Sequence, residues 1–329
     1  MIRKAHLDSE KGRLIFGRLN QVAAQKKRPL HTVLTRYALE RFLHRLFSDG
    51  ANGSDRLFVA SPGGMGIDQD MITLKGGMTL TFAEDVPVLD GRSTGDADLH
   101  LASFGGNMDD YGTILRNGLR GMPAHGPDDG LRFDLEGIRI ARDREERSGG
   151  SAVVPVQIGL YYLQFKTDVS FDARPMHDRA PLVEYPQVLP DSDMPAPMIR
   201  RVPFEFMIAD KFNAALGYGL ANKRVRDYPD MRLILGRGLV DEEFLAETIA
   251  ATIRFNDRTL PVSMNDIPGF SEEFAQEKAR RWEHEKADRH YLVQEDFPTM
   301  LAWLREYFEP ILERAREIEE LPAWSVFSR

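Results

Sequence analysis

The sequence contains no cysteine in its 329 residues. Disulfide bonds, thiolate-ligated metal sites and a cysteine nucleophile are therefore excluded. No stretch approaches the roughly 20 apolar residues that a membrane-spanning helix requires. The first residues, MIRKAHLDSEKGRLIFGRL, also lack the continuous apolar core of a signal peptide. These absences favour a protein that works in the reducing cytoplasm, with no membrane partner.

Positive charge is scarcer than negative charge, because 43 lysine and arginine residues face 51 aspartate and glutamate residues. The resulting net charge of −8 argues against a protein that coats nucleic acid over its whole surface. It leaves room for a local basic groove. The hydrophobic share of 42% is that of an ordinary globular protein, and the length accommodates two domains.

Hydrophobic periodicity predicts an α+β part followed by a helical part. Apolar residues at helical spacing predict a helix over 32–47, with Thr32 as its N-cap. The middle of the chain is rich in β-branched and aromatic runs, and the two longest predict a hairpin around Gly159. A proline-rich segment then predicts a surface linker. The expected domains are therefore 1–195, an α+β domain, and 196–329, a mainly helical domain.

The second part shows helical spacing in several stretches. These predicted helices cover residues 204–219, 240–254, 271–288 and 297–318. Pro310 is expected to break or kink the last of them, since proline lacks a backbone N–H.

Carboxylates alternate along two of the predicted strands. Asp96, Asp98 and His100 share one face of a strand, because residues two apart point the same way. On the second strand of the hairpin, Asp168 shares a face with Lys166. If the strands are neighbours, three carboxylates converge, which suits Mg²⁺ and phosphoryl displacement. A D-x-D pattern is also common at solvated strand edges, so both interpretations stand at this level.

A glycine pair precedes these carboxylates in the segment LKGGMTL. The predicted order is a strand, then Gly76 and Gly77, then the start of a helix. Backbone N–H groups at such a turn can bind an anion, and glycine lets a phosphate approach closely. Lys75 adds positive charge, unless its ammonium group simply reaches solvent at the strand end.

One lysine falls on the apolar stripe of a predicted helix. Lys211 lies three residues after Ile208 and seven after Phe204. An ammonium group on a core-facing stripe is costly unless an anion meets it. Lys211 therefore either extends its head group to water or holds a triphosphate or the carboxylates in a cleft. Asp227 and Asp230 follow one helical turn apart.

These segments, in this order, resemble the AbiEii/AbiGii-type nucleotidyl transferase toxin family of AbiE-like toxin–antitoxin systems. The matching segments are LTRYALERFLHRLF, LKGGMTL, RSTGDADLHL with its R-x-T-x-D-x-D motif, LQFKTDVSFD, and FEFMIADKFNAALGYGLANKRVRDYPDM. The resemblance implies an α+β fold with a polymerase-β-like (minimal) nucleotidyltransferase domain built on a mixed sheet. It also implies an added, mainly helical C-terminal domain that contributes lysine and aspartate residues to the cleft.

The resemblance assigns roles to individual residues. The implied metal ligands are Asp96, Asp98 and Asp168, which with Lys211, Asp227 and Asp230 form the implied catalytic set. The implied nucleotide-binding residues are Lys75, Gly76, Gly77, Arg92, Thr94 and Arg226. The implied cofactor is Mg²⁺ or Mn²⁺, and the substrate is a nucleoside triphosphate. The implied partners are an acceptor, either RNA such as a tRNA 3′ end or a protein, and a cognate antitoxin. The resemblance also implies a role in phage defence.

The sequence departs from the family pattern at a few positions. Arg226 replaces a lysine, Asp210 stands where the family has glutamate, and Tyr228 and Pro229 replace an aromatic pair. Two alternatives therefore stay open, namely a nucleotide- or partner-binding module without catalysis and a metal-dependent phosphohydrolase. Scattered arginines either line an RNA groove or form an ordinary solvated surface; they are Arg116, Arg120, Arg139, Arg142 and Arg144.

Overall fold

The computed structural model divides the chain into two compact units. One unit contains Met1–Thr81 and Val86–Val202, and the other contains Phe82–Asp85 and Pro203–Arg329. The division at residue 202 lies a few residues beyond the expected 195. The structure describes residues 9–47, 59–60, 66–67, 72–92, 94–102, 107–120, 128–142, 149–171, 174, 176, 179–190, 193–289 and 292–319.

Among the described residues before 203, the structure contains four helices and ten strands, two of which are long. The helices are α1 (Glu10–Gln25), α2 (Leu30–Phe47), α3 (Thr81–Glu84) and α4 (Met108–Leu119). The strands are β1 (Val59–Ala60), β2 (Gly66–Ile67), β3 (Ile72–Lys75), β4 (Asp96–Leu101), β5 (Leu131–Phe133), β6 (Arg139–Arg142), β7 (Gly149–Ile158), β8 (Tyr161–Phe171), β9 (Leu182–Glu184) and β10 (Met198–Arg200). A 3₁₀ turn over Gly76–Leu80 joins β3 to α3.

A six-stranded mixed sheet forms the centre of the first unit. The strand order is β3-β4-β8-β7-β5. Strand β6 also pairs with β7, at a different part of that strand from β5. Strands β4 and β8 run parallel, whereas β3 with β4 and β7 with β8 are antiparallel. The expected α+β architecture with a mixed sheet and a helical C-terminal region is confirmed.

The two faces of this sheet differ in what covers them. Along β8 the odd-numbered residues after Tyr161 are buried, and the even-numbered residues are exposed or half-buried. The buried face packs against helices, since Phe165 contacts Phe42 of α2 at 5.3 Å between ring centroids. Tyr111 of α4 donates a hydrogen bond of 2.6 Å to Thr167 on the same face. The even-numbered residues of β8 therefore lie on the face away from these helices.

Helix α2 is buried on nearly all sides, although it carries charged residues. Arg45 makes a buried ion pair of 2.6 Å with Asp129. Glu40 pairs with Arg41 at 2.7 Å and accepts the Val188 N–H at 2.6 Å. Burial raises the pKa of Glu40, and the neighbouring guanidinium groups oppose that shift. The proline-rich segment expected as a surface linker is thus anchored to α2, and it contributes β9 and β10.

The second unit is helical around an aromatic core. Its helices are α5 (Phe204–Tyr218), α6 (Asp227–Gly236), α7 (Glu242–Phe255), α8 (Glu272–Arg289) and α9 (Phe297–Glu319). Phe212 lies 5.7 Å from Phe270 and 5.0 Å from Phe308 between ring centroids. Tyr228 lies 5.3 Å from Phe297. Within the described part of the chain, none of the helices combines the length and apolarity needed to cross a bilayer.

Several local expectations need correction. Helix α2 begins at Leu30, so Thr32 lies inside the helix and is not its N-cap. Helix α9 continues through Pro310, because buried residues on both sides of the proline, such as Phe308 and Ile311, hold the helix against its neighbours. Helix α1 has no counterpart among the predicted elements.

Candidate functional site

Three carboxylates lie on the sheet face opposite the one that α2 and α4 cover. In the parallel register of β4 and β8, Asp98 is the direct partner of Asp168, and Asp96 is the partner of Lys166. Neighbouring strands are about 4.8 Å apart, so partners on one face are close. The expected convergence of Asp96, Asp98 and Asp168 is therefore found in the register and the alternation of the two strands.

The electrostatics of Asp98 reflect this convergence. Burial raises its pKa to about 6, and the negative charges of Asp96 and Asp168 add to the shift. Lys75 and the N–H of Gly77 act in the opposite direction. Burial is thus the main cause of the raised pKa, and the two neighbouring carboxylates strengthen it.

The glycine turn lies directly against this cluster. Gly76 has a φ of +70°, a region that favours glycine. A Cβ atom at this position would overlap the Oδ2 atom of Asp98. At Gly77, a Cβ atom would lie 3.1 Å from Oγ1 of Thr94. Both the backbone conformation and the close approach to a carboxylate therefore require Gly76, which a bare G-G pair in the sequence does not reveal.

Each carboxylate and the nearby lysine has a polar partner. Thr94 donates to Asp96 at 2.6 Å, and Lys75 of β3 donates to Ser170 at 2.8 Å. Lys166 contacts both oxygens of Asp168, at 2.7 and 3.0 Å. Lys166 is absent from the predicted site, although its K-x-D spacing on a strand indicates that it shares a face with Asp168.

The donor chemistry of this face fits a divalent cation. Carboxylate oxygens are the ligands that Mg²⁺ and Mn²⁺ prefer, and a cation beside Asp98 would also offset the charges of Asp96 and Asp168, which contribute to its raised pKa after burial. Among the described residues, no three acidic or histidine side chains are already arranged around one point as a ligand set. Both oxygens of Asp168 contact Lys166, so this lysine competes with a cation for the carboxylate.

A second cluster lies within the helical unit. Lys211 of α5 donates to Asp227 at 2.7 Å and to Asp230 at 2.9 Å, both in the first turn of α6. All three side chains are largely buried. Burial lowers the pKa of Lys211, but the two carboxylates outweigh it and the net shift is upward. Lys211 is therefore a buried, charged lysine held by two carboxylates.

The arginines predicted near this cluster have different partners. Arg226 pairs with Glu285 of α8 at 2.9 Å. Arg224, which was not among the predicted site residues, donates to Asp227 at 2.6 Å. In the first unit, Arg92 lies half-buried shortly before β4.

Four of the five scattered arginines lie among the described residues, and they belong to different elements and faces, which favours an ordinary surface over one shared groove. Arg139 is on the carboxylate face of the sheet, because it pairs with Val153, which in turn pairs with Lys166. Arg142 alternates to the opposite face and contacts Asp109 of α4. Arg116 and Arg120 lie in or at the end of α4, and Arg144 lies outside the described residues.

The comparisons with known proteins define the class. Residues 66–314 match the family model described as nucleotidyl transferase AbiEii toxin, Type IV toxin–antitoxin system. The chain is thus a nucleotidyltransferase, and the carboxylates, the glycine turn and the second cluster all lie within the matched region. It belongs to the AbiEii toxin family, which confirms the resemblance carried by the sequence motifs.

Solved structures show distant likeness over most of the chain. MenT4, a nucleotidyltransferase toxin from Mycobacterium tuberculosis H37Rv, is 16% identical, with a TM-score of 0.48 over 92% of this chain and 99% of its own. JHP933 from Helicobacter pylori is 13% identical, with a TM-score of 0.44 over 87% of this chain and 92% of its own. No curated protein matches the chain.

Proposed function

We propose that the protein is a metal-dependent nucleotidyltransferase toxin that transfers a nucleoside monophosphate from a nucleoside triphosphate to an RNA acceptor. A hydroxyl of the acceptor attacks the α-phosphate, and the bond to the β-phosphate breaks, which releases pyrophosphate. The observation that carries the proposal is the position of Asp98, which faces Asp168 across two parallel strands and touches the Gly76 turn. Family membership supplies the reaction class.

The carboxylates have distinct proposed roles. Asp96 and Asp98 hold Mg²⁺ or Mn²⁺, with Asp168 as the third ligand. When bound there, the metal would neutralise phosphate charge and lower the pKa of the attacking hydroxyl. Asp168 is also the proposed acceptor for the proton of that hydroxyl, which requires its pair with Lys166 to open.

The remaining predicted residues are proposed to bind the nucleotide. Gly76 and Gly77 offer backbone N–H groups to a phosphate, and Lys75 and Arg92 supply positive charge near it. Thr94 positions Asp96 through the hydrogen bond of 2.6 Å. The roles of the remaining residues rest on the family motifs alone; they are Lys211, Asp227, Asp230 and Arg226.

The biological setting is proposed from the family. The acceptor is RNA, with a tRNA 3′ end as the first candidate and a protein acceptor as the competitor. The toxin acts in the cytoplasm, in phage defence, and a cognate antitoxin neutralises it.

A labelling experiment tests the proposed reaction. The purified protein is incubated with Mg²⁺ and each of the four α-³²P-labelled nucleoside triphosphates, with total RNA or total protein as acceptor. Asp98→Asn is expected to abolish labelling, whereas Asp193→Asn, at an exposed site, is expected to keep it. A tRNA terminated in 2′,3′-dideoxyadenosine should not be labelled if its 3′ end is the target.

The products separate the alternatives. Label on RNA supports the proposal as stated, and label on protein changes the acceptor class. Nucleotide binding without transfer indicates a binding module, and released phosphate or cleaved RNA indicates a phosphohydrolase. Full transfer by Asp98→Asn would remove the proposed mechanism.

A further inference from the structure

The carboxylate face of the sheet extends beyond the carboxylates into an exposed strip of cations and one aromatic ring. We call it the acceptor strip and define it by Tyr162, Gln164 and Lys166 of β8, Arg139 of β6 and Arg132 of β5. We propose that the acceptor strip binds single-stranded RNA and leads its end to the carboxylates. The inference rests on the proposed function and deepens it, because it assigns the surface that holds the acceptor.

Strand alternation places the strip next to the site. Tyr162, Gln164 and Lys166 lie two residues apart and end at Asp168, so all four share one face. The distance along β8 from Tyr162 to Asp168 is about 20 Å at the usual rise per residue. That length accommodates several nucleotides of an extended strand leading towards the carboxylates.

Strand register widens the strip on the side of β7. Arg139 pairs with Val153, which pairs with Lys166, and it donates to Gln164 at 3.0 Å. Arg132 pairs with Gln157, which pairs with Tyr162. Both arginines therefore lie on the β7 side of β8, two strands away. Arg139 is beside Lys166, near the carboxylates, and Arg132 is beside Tyr162, near the hairpin turn.

The charge of the strip contrasts with that of the whole chain. The net charge of the protein is −8, yet the strip carries three cationic side chains, of which Lys166 pairs with Asp168 at the site end of the strip. Burial and the nearby charge of Asp134 raise the pKa of Tyr162 above its ordinary value, so its phenol is neutral at physiological pH. A run of cations that follows a line favours a phosphate backbone over a compact acidic patch.

The aromatic ring supplies the part of the strip that suits bases. Tyr162 is 44% exposed, and an exposed aromatic ring on a sheet is a platform on which an unpaired base stacks. The adjacent Gln164 is exposed and carries both a donor and an acceptor. This combination favours single-stranded RNA over a peptide, which would need apolar pockets for its side chains.

The same strand offers a matched control for Arg139. Arg139 and Arg142 are both exposed residues of β6, but they alternate to opposite faces of the sheet. Arg142 contacts Asp109 in an exposed ion pair, and such pairs contribute little to stability. Arg139→Ser and Arg142→Ser therefore make the same charge change three residues apart, and only the first removes a cation from the acceptor strip.

The test measures binding of a short 5′-fluorescein-labelled single-stranded RNA of mixed sequence by fluorescence anisotropy over a series of KCl concentrations. The measurement omits nucleotide and metal, so that no transfer occurs. Arg139→Ser should weaken binding and reduce the slope of log K against log salt by about 0.7, the value for one lost phosphate contact on a single strand. Tyr162→Ser should weaken binding about 5- to 100-fold with an unchanged salt slope. Arg142→Ser should bind like the wild type, and thermal unfolding confirms that each variant is folded.

The outcomes separate this inference from the proposed function. The inference is overturned if Arg139→Ser and Tyr162→Ser bind RNA like the wild type, or if Arg142→Ser weakens binding as much as Arg139→Ser. It is also overturned if the wild type binds no RNA and labels a protein instead. If RNA binding follows the expected pattern but Asp98→Asn still transfers nucleotide, the strip is correct and the proposed catalytic site is wrong.

Discussion

Replacing Asp98 by asparagine is expected to stabilise the metal-free protein while removing its activity. The pKa of Asp98 rises from 3.8 to about 6 in the folded state. At about 1.4 kcal/mol per unit, the ionised carboxylate costs about 3 kcal/mol at neutral pH. Asp98 is half-buried, and solvent screening reduces the figure to about 1–2 kcal/mol. Asparagine has nearly the same shape, and its carbonyl oxygen can still accept the Gly77 N–H.

The stability gained by Asp98→Asn should depend on pH. Because the folded pKa is raised, the wild type gains stability from protonation of Asp98 below the unfolded pKa and loses it as the pH rises through about 6. The advantage of Asp98→Asn is therefore full above that pH and shrinks towards zero as the pH falls to 3.8 and below. Urea unfolding in EDTA across this range measures it, with Asp193→Asn as the control. The reasoning is refuted if Asp98→Asn is no more stable than the wild type at pH 7.5. It is also refuted if the difference in stability between the two proteins does not change with pH.

Three further predictions concern groups around the site and in the core. Lys166→Met should tighten Mn²⁺ binding about fivefold in calorimetry, because an exposed ion pair of up to about 1 kcal/mol no longer competes for Asp168. The control Lys166→Arg should bind Mn²⁺ with nearly the wild-type affinity. Weaker Mn²⁺ binding by Lys166→Met would contradict the idea that Lys166 competes with the metal. Asp129→Ala should lower the free energy of unfolding by about 3–5 kcal/mol, since it removes the carboxylate that balances the buried charge of Arg45. A loss below about 1 kcal/mol in urea would show that the pair is dispensable. Gly76→Ala should lower the free energy of unfolding by at least about 1–2 kcal/mol because of the positive φ at this position alone. It should also abolish nucleotide transfer in the labelling assay. An active variant with wild-type stability would show that the turn tolerates a side chain.

Sequence patterns predict the fold best where the periodicity is unambiguous. The hairpin around Gly159 was predicted because β8 alternates apolar and polar residues over its whole length. Helix α1 lies outside the predicted elements, although its buried Ile15, Leu19 and Ala23 recur at helical spacing. Its close packing at Gly12 against the hairpin turn at Gly159 is a tertiary feature that no local pattern shows. Helix α2 was predicted, but its buried charges were not, because their partners, such as Asp129, lie far away in the sequence.

The candidate site shows the same limit. The alternation of β4 places Asp96 and Asp98 on one face, but only the register with β8 shows that Asp168 is the partner of Asp98. Sequence alone also gives no sign of whether a lysine near a carboxylate is a partner or a solvated neighbour. The structure assigns Lys166 to Asp168 and Lys211 to Asp227 and Asp230 through distances that no local pattern contains.

The two faces of β8 connect the stability of the core to the geometry of the site. Phe165, Thr167 and Val169 are buried on the helix-covered face, and their packing fixes the register, because a shift by one residue would turn every apolar side chain outward. That same register holds Asp168 opposite Asp98, where burial raises the pKa of Asp98 and the like charges of Asp96 and Asp168 add to the shift. The repulsion persists because burial on the opposite face outweighs it, at about 1.5–3 kcal/mol for each fully buried large apolar side chain. The strand therefore keeps an unfavourable pair of carboxylates in place through the side chains that alternate with them, and a divalent cation would gain binding energy by relieving that repulsion.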